Sequence, residues 1–133
     1  MTLYTDNRIL RGMPISADGL FSALAHDTRL RCLMLLLRHR ELCVCELTEA
    51  IGAAQPHMSR HLARLRELGL VTDRREGLWI HYRVNPDLPE WIGDILRATS
   101  QGLESQPPFA ADAEALTSIN DESGVQRCAP SGG

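Results

Sequence analysis

The chain has 133 residues, 44% of them hydrophobic, which is enough for one core and too little length for a second independent domain. Its longest apolar run, Cys32 to Leu37, is far too short to cross a bilayer, which excludes a membrane span. A net charge of −3 argues against nucleic acid only until it is mapped: residues 54 to 84 hold Arg60, Arg64, Arg66, Arg74, Arg75 and Arg83 against Glu67, Asp73 and Glu76, a net of +3 that leaves −6 for the remainder.

Met1 to Leu10 has no basic region followed by an apolar stretch, so no secretory signal is read and a cytoplasmic protein is expected. The four cysteines, at 32, 43, 45 and 128, do not form a secreted disulfide framework; in reducing cytosol a close pair points to a metal or redox site. All 14 basic side chains are Arg, the better fork for phosphate and guanine.

Residues 1–15 are read as an N-terminal arm. Leu20, Phe21 and Leu24 then recur at helical spacing behind Ser16, a good N-cap, and predict a first helix to about His26. Asp27 is placed to cap a second helix, Thr28 to about Arg38, whose Leu30, Leu33, Met34, Leu36 and Leu37 make it apolar nearly all round and hence central. A short third helix spans Val44 to Ile51, with Cys43 in the N-cap slot and Gly52 as its stop.

After a turn through Ala53 and Ala54, Pro56 occupies a favoured first-turn position and a fourth helix runs to about Leu68. Met58, Leu62 and Leu65 form its inward stripe; His57, Arg60, His61 and Arg64 fall at i, i+3, i+4 and i+7 on another face. Leu70 to Arg74 and Leu78 to Val84 read as strands joined at Glu76-Gly77, with Arg74 and Arg75 near the tip. Trp91, Ile92, Ile95 and Leu96 give a last amphipathic helix to about Thr99. Residues 100–133, with five acids, one Arg and several Pro and Gly, read as an acidic, mobile tail.

Short helix, tight turn, longer basic helix and hairpin, in that order, specify a mainly α fold with a β-hairpin wing: a winged helix-turn-helix over residues 16–99. In such a unit the second helix enters the major groove N-terminus first, which puts Gln55, His57, Ser59 and Arg60 at base edges, His61 and Arg64 nearer phosphate, and Arg74 and Arg75 along the backbone or minor groove. One such helix reads few base pairs, so a homodimer on double-stranded operator DNA is expected, with Leu20, Phe21, Leu24, Trp91, Ile92, Ile95 and Leu96 as candidate dimerisation residues or, alternatively, core.

Cys43 and Cys45 are the candidate metal ligands. Two mid-helix residues at i and i+2 lie roughly 200° apart and cannot share an ion. At the N-cap, however, the first side chain can fold back toward the second, and the positive helix end favours the thiolates that select soft ions. The alternatives are a pair of small buried hydrophobes, or a disulfide-forming redox switch. No Cys-x-x-Cys, glycine-rich phosphate loop, His-Glu-x-x-His or Ser/His/Asp arrangement supports an enzyme.

Three segments, Glu41-Leu-Cys-Val-Cys-Glu-Leu47, Gln55-Pro-His-Met-Ser-Arg-His-Leu62 and Gly77-Leu-Trp-Ile-His-Tyr-Arg83, resemble the ArsR family of metalloregulatory repressors, the similarity running from about Leu20 to Leu96. The resemblance is greatest to the arsenic-sensing members, and implies a homodimeric repressor of an arsenical resistance operon, released from DNA when arsenite or antimonite binds Cys43 and Cys45. No cofactor is then required for DNA binding, the inducer being As(III) or Sb(III). The family's third sulfur aligns with Thr48, so the third ligand is Cys128, an exogenous thiol or none; Cys32 is read as structural. The last helix lacks the His and acidic pairs of zinc-sensing relatives, and no cysteine precedes residue 32 as cadmium and lead sensors require. A thiol redox-sensing repressor, or one sensing another thiophilic metal, remains the alternative.

Overall fold

The computed structural model describes residues 15–123, with side chains as far as Ile119. Helix α1 (Ala17–Leu24) starts at Ser16, whose hydroxyl accepts from the Gly19 N–H at 3.1 Å, and buries Leu20 and Ala23. Helix α2 (Asp27–Arg38) is capped one residue earlier than the sequence suggested: the His26 ring Nδ1 accepts from the Thr28 N–H at 3.2 Å. Asp27 instead stands in the first turn, where a carboxylate suits the helix dipole, and reaches Arg31 at 3.4 Å. Five consecutive residues of α2, Cys32 to Leu36, are buried, so this helix is enclosed on all sides as its apolar sequence required.

A two-residue strand, β1 (Leu42–Cys43), precedes α3 (Val44–Ile51) and was not expected; so short a segment carries no period of its own. Gly52 closes α3 at φ 86°, a left-handed position, with its N–H on the Thr48 carbonyl at 2.8 Å. Helix α4 (Gln55–Glu67) begins behind Ala54, which offers no side-chain cap. Losing a cap costs about 1 kcal/mol. Burying Met58, Leu62 and Leu65 completely returns about 1.5–3 kcal/mol each, so packing against α2 and α3 decides where α4 lies and which face it turns outward.

Strands β2 (Val71–Glu76) and β3 (Trp79–Val84) pair antiparallel from Val71 opposite Val84 to Glu76 opposite Trp79, and β1 joins the free edge of β3 with Cys43 opposite His81. The two-residue turn is Gly77-Leu78, one position later than expected; Gly77, at φ 64°, supplies the Gly-first geometry of a tight hairpin turn.

The C-terminal region corrects the reading of residues 100–133 as a mobile tail, as far as Ser123. Helix α5 (Glu90–Leu103) continues past Thr99, and a further helix, α6 (Phe109–Ser123), packs on α3 and α2. Leu116 and Ile119 are buried in the core cluster, and Asp112, only 3% exposed, accepts two hydrogen bonds from Arg31, at 2.8 Å from Nε and 2.7 Å from Nη2. Asp112 looked solvated because its partner stands 81 residues away. No helix among the described residues is long and apolar enough to cross a membrane.

Candidate DNA-reading surface and thiol site

Because α4 buries Met58, Leu62 and Leu65, the residues between them face outward: Gln55, His57, Ser59, Arg60 and Arg64 are all exposed, as the helical spacing required. Arg60 lies 2.8 Å from His57 Nδ1. Guanidinium has only donors, so in this contact the ring nitrogen is the acceptor. Arg64 makes a looser contact with Glu67 at 3.4 Å, both side chains being largely in solvent, where such a pair is easily exchanged for phosphate. His61 is half-buried rather than displayed: its ring lies 4.2 Å from that of His26. Burial first, then the charges of His26, Arg29, His57 and Arg60, push its pKa below the usual histidine value.

Two arginines that looked alike in sequence differ in the wing. Arg75 is exposed near the tip, while Arg74 faces His81 in the ladder and is held by carboxylates: Glu41 at 2.7 and 2.6 Å in a two-pronged contact and Glu76 at 2.9 Å. The Glu41 hydrogen bond, then that of Glu76, raises the Arg74 pKa further still. With its charge met twice over, Arg74 braces the hairpin against the segment leading into β1, a correction to its reading as a phosphate contact. Arg66, 3.1 Å from Asp73, ties α4 to β2 in the same way. Sequence reasoning missed both braces: Glu41 lies 33 positions before Arg74, and Asp73, seven after Arg66, stands on β2 beyond the end of α4.

The sulfurs of Cys43 and Cys45 converge. Cys43 is buried at the junction of β1 and α3, in the N-cap slot, and its N–H donates to the Glu46 carboxylate at 2.9 Å. Cys45, half-buried in the first turn, brings its Sγ to 3.1 Å from that of Cys43. Cys45 is disulfide-bonded in this structure, whereas Cys43 is a thiol. Once Cys45 is reduced, two thiolates bound to one ion at about 2.3 Å would stand roughly 3.3–3.8 Å apart, close to the separation seen here. Thr48 Oγ1 donates to the Val44 carbonyl at 2.8 Å, an engagement with its own helix. Cys32 is wholly buried, 3.2 Å from the Met58 sulfur, and burial pushes its thiol up to about 12. It is a core residue, as expected, and Cys128 lies outside the described residues.

The seven residues considered for dimerisation separate. Leu20, Ile92 and Leu96 are completely buried within the chain and serve its own core, which corrects their place in that set. Leu24 and Ile95 are half-buried, and Phe21 and Trp91 are large apolar side chains 52% and 45% exposed.

A short helix, turn, outward-facing Arg/His helix and braced hairpin define a winged helix-turn-helix regulator, a class built to read DNA rather than to catalyse. Residues 26–73 match the model of the bacterial regulatory protein arsR family. The chain is 52% identical over 77 residues to the arsenic resistance transcriptional regulator ArsR1 of Pseudomonas putida, covering 58% of this chain and 60% of that protein. It is 46% identical over 87 residues to ArsR2 of the same organism (65% and 76%) and 51% identical over 77 residues to the arsenical resistance operon repressor of Escherichia coli (58% and 66%). Thus the alignment spans less than two thirds of the first and third of these relatives.

Among solved structures, HlyU from Vibrio cholerae superposes with a TM-score of 0.59 at 31% identity, covering 65% of this chain and 90% of that one. The AntR antimony-specific transcriptional repressor gives 0.56 at 31%, covering 78% and 86%. The chain belongs to the arsR family of bacterial regulatory proteins.

Proposed function

We propose that this protein is a cytoplasmic repressor that holds operator DNA as a homodimer and lets go when arsenite or antimonite binds Cys43 and Cys45. The observation that carries the reading is the 3.1 Å approach of the two sulfurs at the start of the helix preceding the reader. The names of the related proteins, arsenic resistance regulators and an antimony-specific repressor, support a metalloid inducer.

In this reading Gln55, His57, Ser59 and Arg60 meet base edges, Gln favouring adenine and Arg guanine, while Arg64 and Arg75 meet phosphate. Two such surfaces joined through Phe21 and Trp91, with Leu24 and Ile95 beside them, would engage half-sites about one DNA turn apart. Apolar side chains of that size left half in water favour a partner.

The route from thiols to DNA follows from what Cys43 touches. Drawing both sulfurs onto one ion shifts the first turn of α3, whose packing against α4 sets the reader's angle. It also pulls on β1, which is paired to the wing through His81 and braced to it through Glu41 and Arg74. Reader and wing lose their relative placement together. Linkage then requires DNA to weaken ion binding by the factor by which the ion weakens DNA binding.

The test is fluorescence anisotropy of reduced protein on DNA from its own promoter, titrated separately with arsenite, antimonite, cadmium and zinc. Release by the metalloids and not by zinc supports the proposal. Release only by an oxidant makes the thiols a redox switch, release by cadmium alone assigns a different soft metal, and no binding at all removes the repressor reading.

A further inference from the structure

The His26–His61 contact joins a residue of α2 to the reading helix and is not explained by the helix-turn-helix alone. The rings stand 4.2 Å apart, tilted by 47°. What surrounds them is basic: Arg29 from α2, and His57 and Arg60 from α4, all act on His61. Asp27, beside His26 in sequence, is turned to Arg31 at 3.4 Å. Arg29 is fixed rather than loose, its guanidinium donating to the Ser22 and Ala23 carbonyls at the end of α1 at 3.3 and 3.4 Å. His26 is itself held by the Thr28 N–H. Three elements thus converge to hold two imidazoles and three further basic side chains in one place, an arrangement that is repulsive until an anion arrives.

We infer that His26 and His61, with Arg29, form a proton-linked contact for a DNA backbone phosphate, lying outside the residues assigned to base and wing contacts. The inference rests on α4 being the DNA-reading helix.

In the free protein, burial and the neighbouring cations keep His61 neutral near pH 7. A phosphate placed against the pair reverses the sign of the local field and favours the imidazolium, so DNA binding takes up a proton. The direction follows: His61 has a lower pKa free than bound, so affinity rises as pH falls through the bound-state value and levels off below the free-state one. Each proton taken up makes affinity change by at most about tenfold per pH unit and per site.

The experiment is operator affinity of the full chain from pH 8 to pH 5.5 at fixed ionic strength, for wild type, His61→Gln and His26→Asn. Asn at 26 retains an acceptor for the Thr28 N–H, so the α2 cap survives while the ring against His61 is removed. The expected result is a severalfold tightening of the wild type per unit fall in pH, lost in His61→Gln and reduced in His26→Asn, the slope with pH rather than the affinity at any one pH being the readout. Wild-type affinity that is strong but flat with pH, or His61→Gln retaining the wild-type slope, overturns the inference while leaving the repressor intact. No operator binding at any pH overturns both the inference and the reading of α4 on which it rests.

Discussion

Replacing Asp112 by Ala removes the carboxylate that holds α6 against α2. Two hydrogen bonds, at 2.8 and 2.7 Å, disappear and the Arg31 guanidinium is left behind. Were the pair wholly enclosed, loss of one member would cost about 3–5 kcal/mol; on the surface it would cost less than about 1 kcal/mol. Asp112 is 4% exposed at its side chain but Arg31 is 19%, and Arg31 retains the Ile51 carbonyl at 3.3 Å and Asp27 at 3.4 Å. The expected loss is therefore intermediate, about 2 kcal/mol, or roughly a thirtyfold shift in the folding equilibrium. Urea denaturation of wild type, Asp112→Ala, Arg31→Ala and the double variant measures it, with a coupling of about 1 kcal/mol or more expected from the cycle. A change under about 0.5 kcal/mol with no coupling would refute the docking of α6 and restore the mobile-tail reading.

Cys32 should resist iodoacetamide at pH 8 in the native protein and react at once in denaturant: with its thiol at about 12, on the order of one molecule in ten thousand is ionised there. The same shift sets a stability trend. Between about pH 9 and 12 the unfolded chain has lost this proton and the folded chain keeps it, so stability falls with rising pH, and the fall should be smaller in Cys32→Ala. Phe21→Glu should halve the mass found by sedimentation equilibrium while leaving the helical circular dichroism unchanged; an unchanged mass would move the dimer contact away from α1.

What the sequence disclosed depended on how local the cause was. Helices α1 to α4 were legible because stripes such as Met58, Leu62 and Leu65 repeat at helical spacing and the stops, Gly52 and Gly69, adopt the positive φ that favours glycine. The inward turn of Cys43 toward Cys45 was legible because an N-cap side chain has only a few directions available. Long-range pairings were not legible. Arg74 looked like a tip residue because Glu41 lies 33 positions earlier, and Asp112 looked solvated because Arg31 lies 81 positions earlier. The apolar stripe of α6, Phe109, Ala113, Leu116 and Ile119, includes a small alanine and stands among acids and beside Pro107-Pro108, which mask it in the sequence. Leu20, Ile92 and Leu96 show the same limit from the other side, since an apolar stripe on a terminal helix does not say whether its own core or a second copy covers it.

The most direct test of the central claim is operator binding by the Cys43→Ser/Cys45→Ser double variant in the presence of arsenite. The N-cap survives serine, so the variant should fold and bind operator as tightly as wild type. It should then remain bound at arsenite concentrations that strip the wild type from DNA. Release of the variant at the same arsenite concentration would contradict the account, for the ion would be acting somewhere other than the two sulfurs at the head of α3.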